Sequence, residues 1–408
     1  MSVMRTALLL RLVVPALVLL GVPACSSGDG GTPVGEGLLP LQQDVPLGFD
    51  ERGDGLLGGA FLDSAGSPVA IATLRRQPTV YRGTDPQPVP IQAFGPYGTV
   101  NAAALAPDDT LVVLGVAGED AAVSIVRIAP DDSAQLLPLT GISDDARGHL
   151  MNGANPAGMS ADGSTAVVAT TSVDYSEGYP LATGEVQIWR VDTATGAITG
   201  SVTTRVADPA AAIPGEATLV AVRDTVVAPD GSAAVAVDVA VGDVITGQLI
   251  RLDAGFAAAT VTQLQEAVPG EYDRHLAVDD AGTVYATTIE ETEGEDGLSS
   301  DTLRVLALAP GETEPTTVVE LEGEPSTTGL AVAPDGGRAY LTDLISGAGS
   351  GLSNEVSVID LASGEKVGET VLCEEGRVKE AVPSTGGRLV VPGACGSEGE
   401  IHVWVLDA

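Results

Sequence analysis

GLAVAPDGGRAYLT, residues 329–342, and NEVSVIDLASGE, residues 354–365, decide how this chain is read. Short runs of β-branched and small apolar side chains are broken by Pro, Asp and Gly. No helical period runs through them, so each run is predicted to be a strand. Pro334, Asp335 and Gly336 make the first break a tight turn: Pro fixes its own φ, Asp bonds to the nearby backbone, and Gly accepts positive φ. The segment divides into four strands, A to D, over 327–333, 338–344, 355–361 and 366–372.

The turn recurs as LDSAG (62–66), LAPDD (105–109), MSADG (159–163), VAPDG (227–231), VDDAG (278–282), VAPDG (332–336) and VPSTG (382–386). Successive copies step by 43, 54, 68, 51, 54 and 50 residues. That is too long for simple hairpins and suits four-stranded units. EVQIWRVDTATG at 185–196 repeats the later half of the pattern.

These runs resemble the YVTN-type seven-bladed β-propeller repeat, with weaker copies over almost all of 48–408. The resemblance implies an all-β, seven-bladed β-propeller of four-stranded antiparallel blades. It is nearly silent on function, because propellers host enzymes, receptors and scaffolds alike. The seventh unit supplies strands near 378, at 388–391 and at 401–406, and then the chain ends one strand short. The unassigned apolar segment 38–47 is predicted to close the last blade as its outer strand, removing an open sheet edge.

Residues 1–24 hold Arg5 and Arg11, no acid, and an apolar stretch over 12–22 that is short for a bilayer span. They read as an export signal. VPACSSGDGG at 22–31 resembles a bacterial lipobox, with Pro23 departing from the commonest residue at its position. This resemblance implies that Cys25 is acylated and becomes the mature N-terminus, that 25–37 form a tether to the propeller at 38–408, and that the lipid holds the exported protein at a membrane. That membrane is either the outer leaflet of the plasma membrane or the outer membrane. An ordinary secretory signal with an incidental cysteine is the alternative. Cys373 and Cys395 then remain, 22 residues apart. In an exported protein a disulfide is the expectation, worth about 3 kcal/mol for a loop of that size in the chain-entropy model.

The whole chain sets 56 acidic side chains against 19 basic ones, a formal charge of −37, with Lys366 and Lys379 its two lysines. Affinity for a phosphate backbone comes mainly from Lys and Arg, so a nucleic-acid partner is excluded, as is polybasic adhesion to a membrane. At 44% hydrophobic residues the chain is too apolar for a disordered acidic tail.

In a propeller the D-to-A and B-to-C connections share one face, and A-to-B and C-to-D share the other. The second set is short here, as at 192–196 and 362–365, whereas the first is long, at 141–154, 174–184, 205–220, 290–300 and 343–354. Insertions on one face of a rigid ring build a binding surface. Cys373 and Cys395 both fall on this face. Counting eight and seven positions back from the end of each turn gives the start of each inner strand, near the mouth of the central channel. These slots hold Gly58 and Gly59, Asn101 and Ala102, Asn155 and Pro156, Arg223 and Asp224, Arg274 and His275, Thr328 and Gly329, and Val378 and Lys379. Asn101, Asn155, Arg223, Arg274, His275, Thr328 and Lys379 are the expected ligand-binding residues. They would take a small anion or a carboxylate, with the two arginines as bidentate donors. In the competing reading Arg223 and Arg274 pair with Asp224, Asp273 and neighbouring carbonyls.

The acidic run 290–296 has the oxygens that Ca²⁺ wants but not the spacing of a calcium loop, and reads as a solvated loop. Trp189 and Trp404 occupy the strand-C slot filled elsewhere by Ile359 and are expected to pack between blades; His402 is a generic repeat position. The sequence has no nucleophile elbow, phosphate-binding glycine loop, CxxC or paired-histidine motif, so it assigns no catalytic residue, metal or cofactor. At 3% aromatic residues a sugar-stacking platform is disfavoured. Two functions remain. The first is a lipid-anchored, monomeric, non-enzymatic module that binds a protein or a small anionic ligand on its loop-rich face. The alternative is a metal-assisted, lactonase-like hydrolase at the channel mouth, with Asp224, Asn101 and Asn155 as ligands beside arginines that would repel a cation.

Overall fold

The computed structural model describes residues 39–50, 55–74, 77–151, 157–174, 181–206, 218–241, 244–269, 274–293, 299–322, 327–342, 354–373, 376–384, 386–396 and 399–408. The expected export signal, Cys25 and the tether lie outside the described residues. The described residues form seven antiparallel sheets, six of them running A-B-C-D in chain order. Blades 1 to 6 begin with inner strands Gly55–Leu62, Ala102–Leu105, Ala157–Met159, Thr218–Val227, Leu276–Val278 and Gly329–Val332. The inner strand of blade 7 is split into Gly376–Val378 and Val382–Ser384, followed by Arg388–Cys395 and Glu400–Asp407. Its outer strand is Leu41–Asp50, which pairs antiparallel with Glu400–Asp407 from Leu41 opposite Leu406 to Asp50 opposite Glu400. The predicted closure by an N-terminal strand is the one observed.

Strands B and C are sandwiched between neighbouring blades and are apolar on both sides, as in Leu111–Ala117, where every residue is buried. The outer strand Ala197–Arg205 instead alternates exposed and half-buried residues, since one of its edges meets solvent. Seven hydrophobic clusters fill seven seams, one between each pair of neighbouring blades. Trp189 packs in the seam of blades 2 and 3 and Trp404 in that of blades 6 and 7, as expected. Val45 and Leu47 meet Ala60, Ala70 and Tyr81 in the seam that completes the ring.

On the short-connection face, arginines near the ends of strands C clamp adjacent blades. Arg82 donates to the Ala129 carbonyl at 3.1 Å and to Asp132 at 2.9 Å, Arg251 donates to the Ala309 carbonyl at 2.9 Å, and Arg190 reaches the Ala254 carbonyl.

The opposite face is uneven. Several connections that read as loops are continuations of the sheets. Strands B and C of blade 3 run Thr165–Asp174 and Leu181–Asp192, and those of blade 5 run Val284–Glu293 and Ser299–Leu308. In blade 4, Ala233–Val241 and Val244–Leu252 stay paired up to Val241 opposite Val244. Strand B has 9 residues in blade 4 and 7 in blade 2. At about 3.3 Å per residue the difference lifts blade 4 about 7 Å higher. The acidic run 290–296 lies partly in this extension, with Glu290 to Glu293 paired to Thr302 to Ser299. A helix, Asp144–Met151, occupies part of the connection at 141–154.

Candidate functional site

The ladders fix which residues begin each inner strand. In blade 4 the Ala228 amide donates to the Ser232 carbonyl, leaving Pro229, Asp230 and Gly231 as the turn. In blade 7 Ser384 faces Arg388, and the corresponding turn is residues 385–387. Gly386 and Gly387 both have positive φ, 87° and 73°, and Gly387 is the counterpart of Gly231. The blade 7 slots are therefore Lys379 and Glu380, one residue beyond Val378 and Lys379. Matching bonds support this register: the Lys379 amide donates to Pro392 and the Thr328 amide to Thr342.

In blades 4 to 7 the slot residues stitch each blade to the next. The Asp224 carboxylate accepts the Thr225 amide and, across the seam, the Leu276 amide, both at 2.7 Å. The His275 ring lies 3.1 Å through Nε2 from the Thr327 carbonyl, which requires a proton on Nε2. Thr328 donates its hydroxyl to the Val378 carbonyl at 2.7 Å. Asn101 donates to the Leu150 carbonyl at 3.1 Å, reaching the helix ahead of blade 3. Glu380 crowds Gly329, where a Cβ would come within 2.5 Å of the Glu380 Cα, so glycine is required there for the inner strands of blades 6 and 7 to approach.

Two carboxyl groups in this ring hold protons above the ordinary range. Burial raises Asp224, against the opposing pull of His275 and the two amides. Burial also raises Glu380 well above the usual glutamate value, and the nearby Asp224 charge adds to the rise.

Arg223 and Arg274 converge on a third acid. Asp238 Oδ2 accepts Arg223 Nε at 2.7 Å, and Asp238 Oδ1 accepts Arg274 Nε. The competing sequence reading expected the arginines to be paired, and both of them meet Asp238; Asp273, one of the partners it named, lies outside the described residues. Asp238 is 3% exposed. Arg274 turns into the seam of blades 4 and 5, where its guanidinium lies against Gly247.

The structure thus brings Arg223, Arg274 and His275 together in blades 4 and 5, with Thr328 and Lys379 at matching positions of blades 6 and 7. Asn101 stands apart in blade 2. Asn155 lies outside the described residues. Sequence reasoning missed Asp238 and Glu380. Asp238 carries a signal, being the single charge in the apolar strand AAVAVDVAV; Glu380 was hidden by the adjacent glycines of its turn. His402 sits 2.6 Å from Asp44 through Nδ1 and stacks on Trp404, tying the closing strand to its neighbour. The structure draws no bond between Cys373 and Cys395, which are both half-buried, with Cys373 Sγ 3.9 Å from the Ala394 carbonyl; both pack in the seam of blades 6 and 7. Among the described residues no group of three or more His, Cys, Asp and Glu side chains is placed to hold a metal ion.

No family model matches the chain, and no curated protein does either. Among solved structures it is similar to the WD40 repeats of RRP9, at 10% identity and TM-score 0.51, over 90% of this chain and 99% of that one. It also matches an oligogalacturonate lyase from Vibrio parahaemolyticus, at 10% identity and TM-score 0.47, over 91% of this chain and 97% of that one. A third match is the β-propeller domain of the Trilobed protease from Pyrococcus furiosus, at 10% identity and TM-score 0.47, over 87% and 94%. These likenesses are of fold alone.

Proposed function

We propose that this chain is an exported, lipid-anchored propeller of the YVTN type that acts as a non-enzymatic binding module, recognising its partner on the face that carries the D-to-A and B-to-C connections. The observation that carries the reading is the asymmetry of that face: blades 3 to 5 rise above the ring as extended hairpins, and the opposite face is trimmed to tight turns. A rigid wall beside the channel mouth presents a shaped surface without an ordering cost on binding. Cross-linking in intact cells tests it. Cross-links to a partner are expected to concentrate on blades 3 to 5 and to disappear when 290–302 is replaced by Asn-Gly. Cross-links spread evenly around the ring, or unchanged by the trimming, would sink the reading. Anchoring is tested separately, since palmitate labelling is expected in the wild type and absent from Cys25→Ser.

A second reading, a propeller hydrolase with its site at the channel mouth, is favoured by the Asp224 and Glu380 pair. A carboxyl that keeps its proton beside a second carboxylate is suited to acid and base roles. Hydrolysis of lactones, with and without added divalent metal, that is lost in a folded Glu380→Gln variant would support it.

A further inference from the structure

Four arginines hold the same place in blades 1 to 4. Arg82, Arg127, Arg190 and Arg251 stand opposite Val69, Val112, Val167 and Ala234 in the ladders of strands B and C. Each of those partners lies two residues beyond the carbonyl that closes the turn between strands A and B, that of Ser67, Thr110, Thr165 or Ser232. Arg82, Arg190 and Arg251 donate to a carbonyl in the next blade. Arg127 does not, and it makes no hydrogen bond or ion pair with any described residue.

The turn that Arg127 meets is built differently. The three clamping arginines reach turns closed between residues three apart: the Asp132 amide donates to Ala129, Phe256 to Asp253 and Glu312 to Ala309. In blade 3 the Gly196 amide bonds back four residues to Asp192, whose carboxylate is taken by the Thr195 amide and hydroxyl. The missing clamp coincides with this longer turn.

Where the clamp is missing, an open pocket of about 300 Å³ is lined by Thr110, Arg127, Ala129, Ser133, Ala134 and Gln135. The surrounding segments 77–151 and 181–206 all belong to the described residues. Gln135 stands directly opposite Arg127 in the ladder of strands C and D, so the two side chains share one side of the sheet. The Ser133 hydroxyl is committed to Asp131 and the Thr110 hydroxyl to Asp108. The Arg127 fork and the Gln135 amide are the donors that remain for an occupant.

Charge narrows what they can hold. Asp108, held low first by the Thr110 amide and hydroxyl, and Asp192, held low first by the Thr195 hydroxyl, both feel the Arg127 charge. Two carboxylates close to the pocket oppose a dianion. A planar monoanion suits a single guanidinium, whose paired N–H groups match two oxygens.

We propose that the pocket at Arg127 and Gln135, on the face of short connections, binds a small carboxylate, with its two oxygens on the guanidinium fork and the Gln135 amide donating to one of them. This site goes beyond the partner surface proposed above, which lies on the opposite face.

The test is thermal unfolding of the full chain in mild detergent, in sodium acetate, chloride or phosphate at matched ionic strength and slightly alkaline pH, where phosphate is a dianion. Acetate is expected to raise the midpoint over chloride by about 1–3 °C. Arg127→Gln gives up no bond, so it is expected to melt with the wild type in chloride and to lose the acetate shift. Arg127→Lys keeps the charge without the fork and is expected to retain only part of the shift. Gln135→Ala is expected to weaken it, and decides the matter should Arg127→Gln fail to fold. Arg205→Gln, at an exposed arginine paired with Glu185, is expected to keep it in full. Equal midpoints in acetate and chloride, a larger shift in phosphate than in acetate, or an acetate shift that survives Arg127→Gln overturns the proposal. The cross-linking test of the opposite face stands or falls separately, since the salt series reads Arg127 whether or not a partner is found.

Discussion

Glu380 and the turn aspartates pull the pH dependence of stability in opposite directions. Glu380 is raised in the folded ring. Its stabilising contribution is therefore complete below the value of an unfolded glutamate and is lost as pH rises through the folded value. Asp230 is held low by the Ser232 hydroxyl and amide, and Asp192 by the Thr195 hydroxyl and amide. Their contribution is present above the unfolded aspartate value and is lost as pH falls through the folded one. Glu380→Gln is expected to raise the unfolding midpoint at about pH 8 and to leave it unchanged at about pH 4. Calorimetry across that range checks this, and a gain independent of pH would place the effect in packing. Two glycines give a second pair of opposed outcomes. A Cβ on Gly158 would lie 2.2 Å from the Thr225 carbonyl oxygen, whereas Gly148, in the helix Asp144–Met151, has nothing within 4 Å. Gly158→Ala is expected to cost about 1–3 kcal/mol, and Gly148→Ala to gain about 0.5–1 kcal/mol, by denaturant unfolding. Of the site residues, the arginines were visible in the sequence as cations in a chain of acids. Their shared partner was not, because Asp238 and Arg274 lie 36 residues apart and meet only when two blades pack.

At the scale of elements, the closing strand is the part whose loss should matter most. Leu41–Asp50 pairs along Glu400–Asp407, and the Leu39 amide just ahead of it donates to the Thr370 hydroxyl of blade 6 at 2.9 Å. Deleting 38–47 is expected to lower the midpoint of the whole domain, whereas deleting 28–35 should leave it unchanged; two equal, small effects would refute the closure role. Strands A to C were legible because sheets packed on both faces write continuous apolar runs into the sequence, as in Leu111–Ala117. The hairpin extensions of blades 3 and 5 were read as loops because their Gly, Glu and Ser residues are poor strand formers, and pairing in the ladder overrides that preference. Blade 7 was misread by one residue because Gly386 and Gly387 are chemically identical at a turn where only one of them matches Gly231.

For the molecule as a whole, the cysteines offer a test of the proposed export. Cys373 and Cys395 pack in the same seam, and export would expose them to oxidants. Protein isolated from the envelope, denatured without reductant, is expected to show no titratable thiol, and reduction is expected to lower its midpoint. Two thiols in that titration would assign both residues to packing alone. The seven-bladed architecture was readable from one repeated turn. The ligand was not, because a propeller repeat encodes the blade and leaves recognition to residues that vary from blade to blade. The pairing of Leu41 with Leu406 also has a consequence in time. Leu41–Asp50 is made long before its partner, so the ring cannot close until Glu400–Asp407 leaves the ribosome. At typical elongation rates that wait is on the order of tens of seconds. Throughout it the edge of blade 7 has no partner, so a nascent chain stalled before Glu400 should be more sensitive to protease than the finished one.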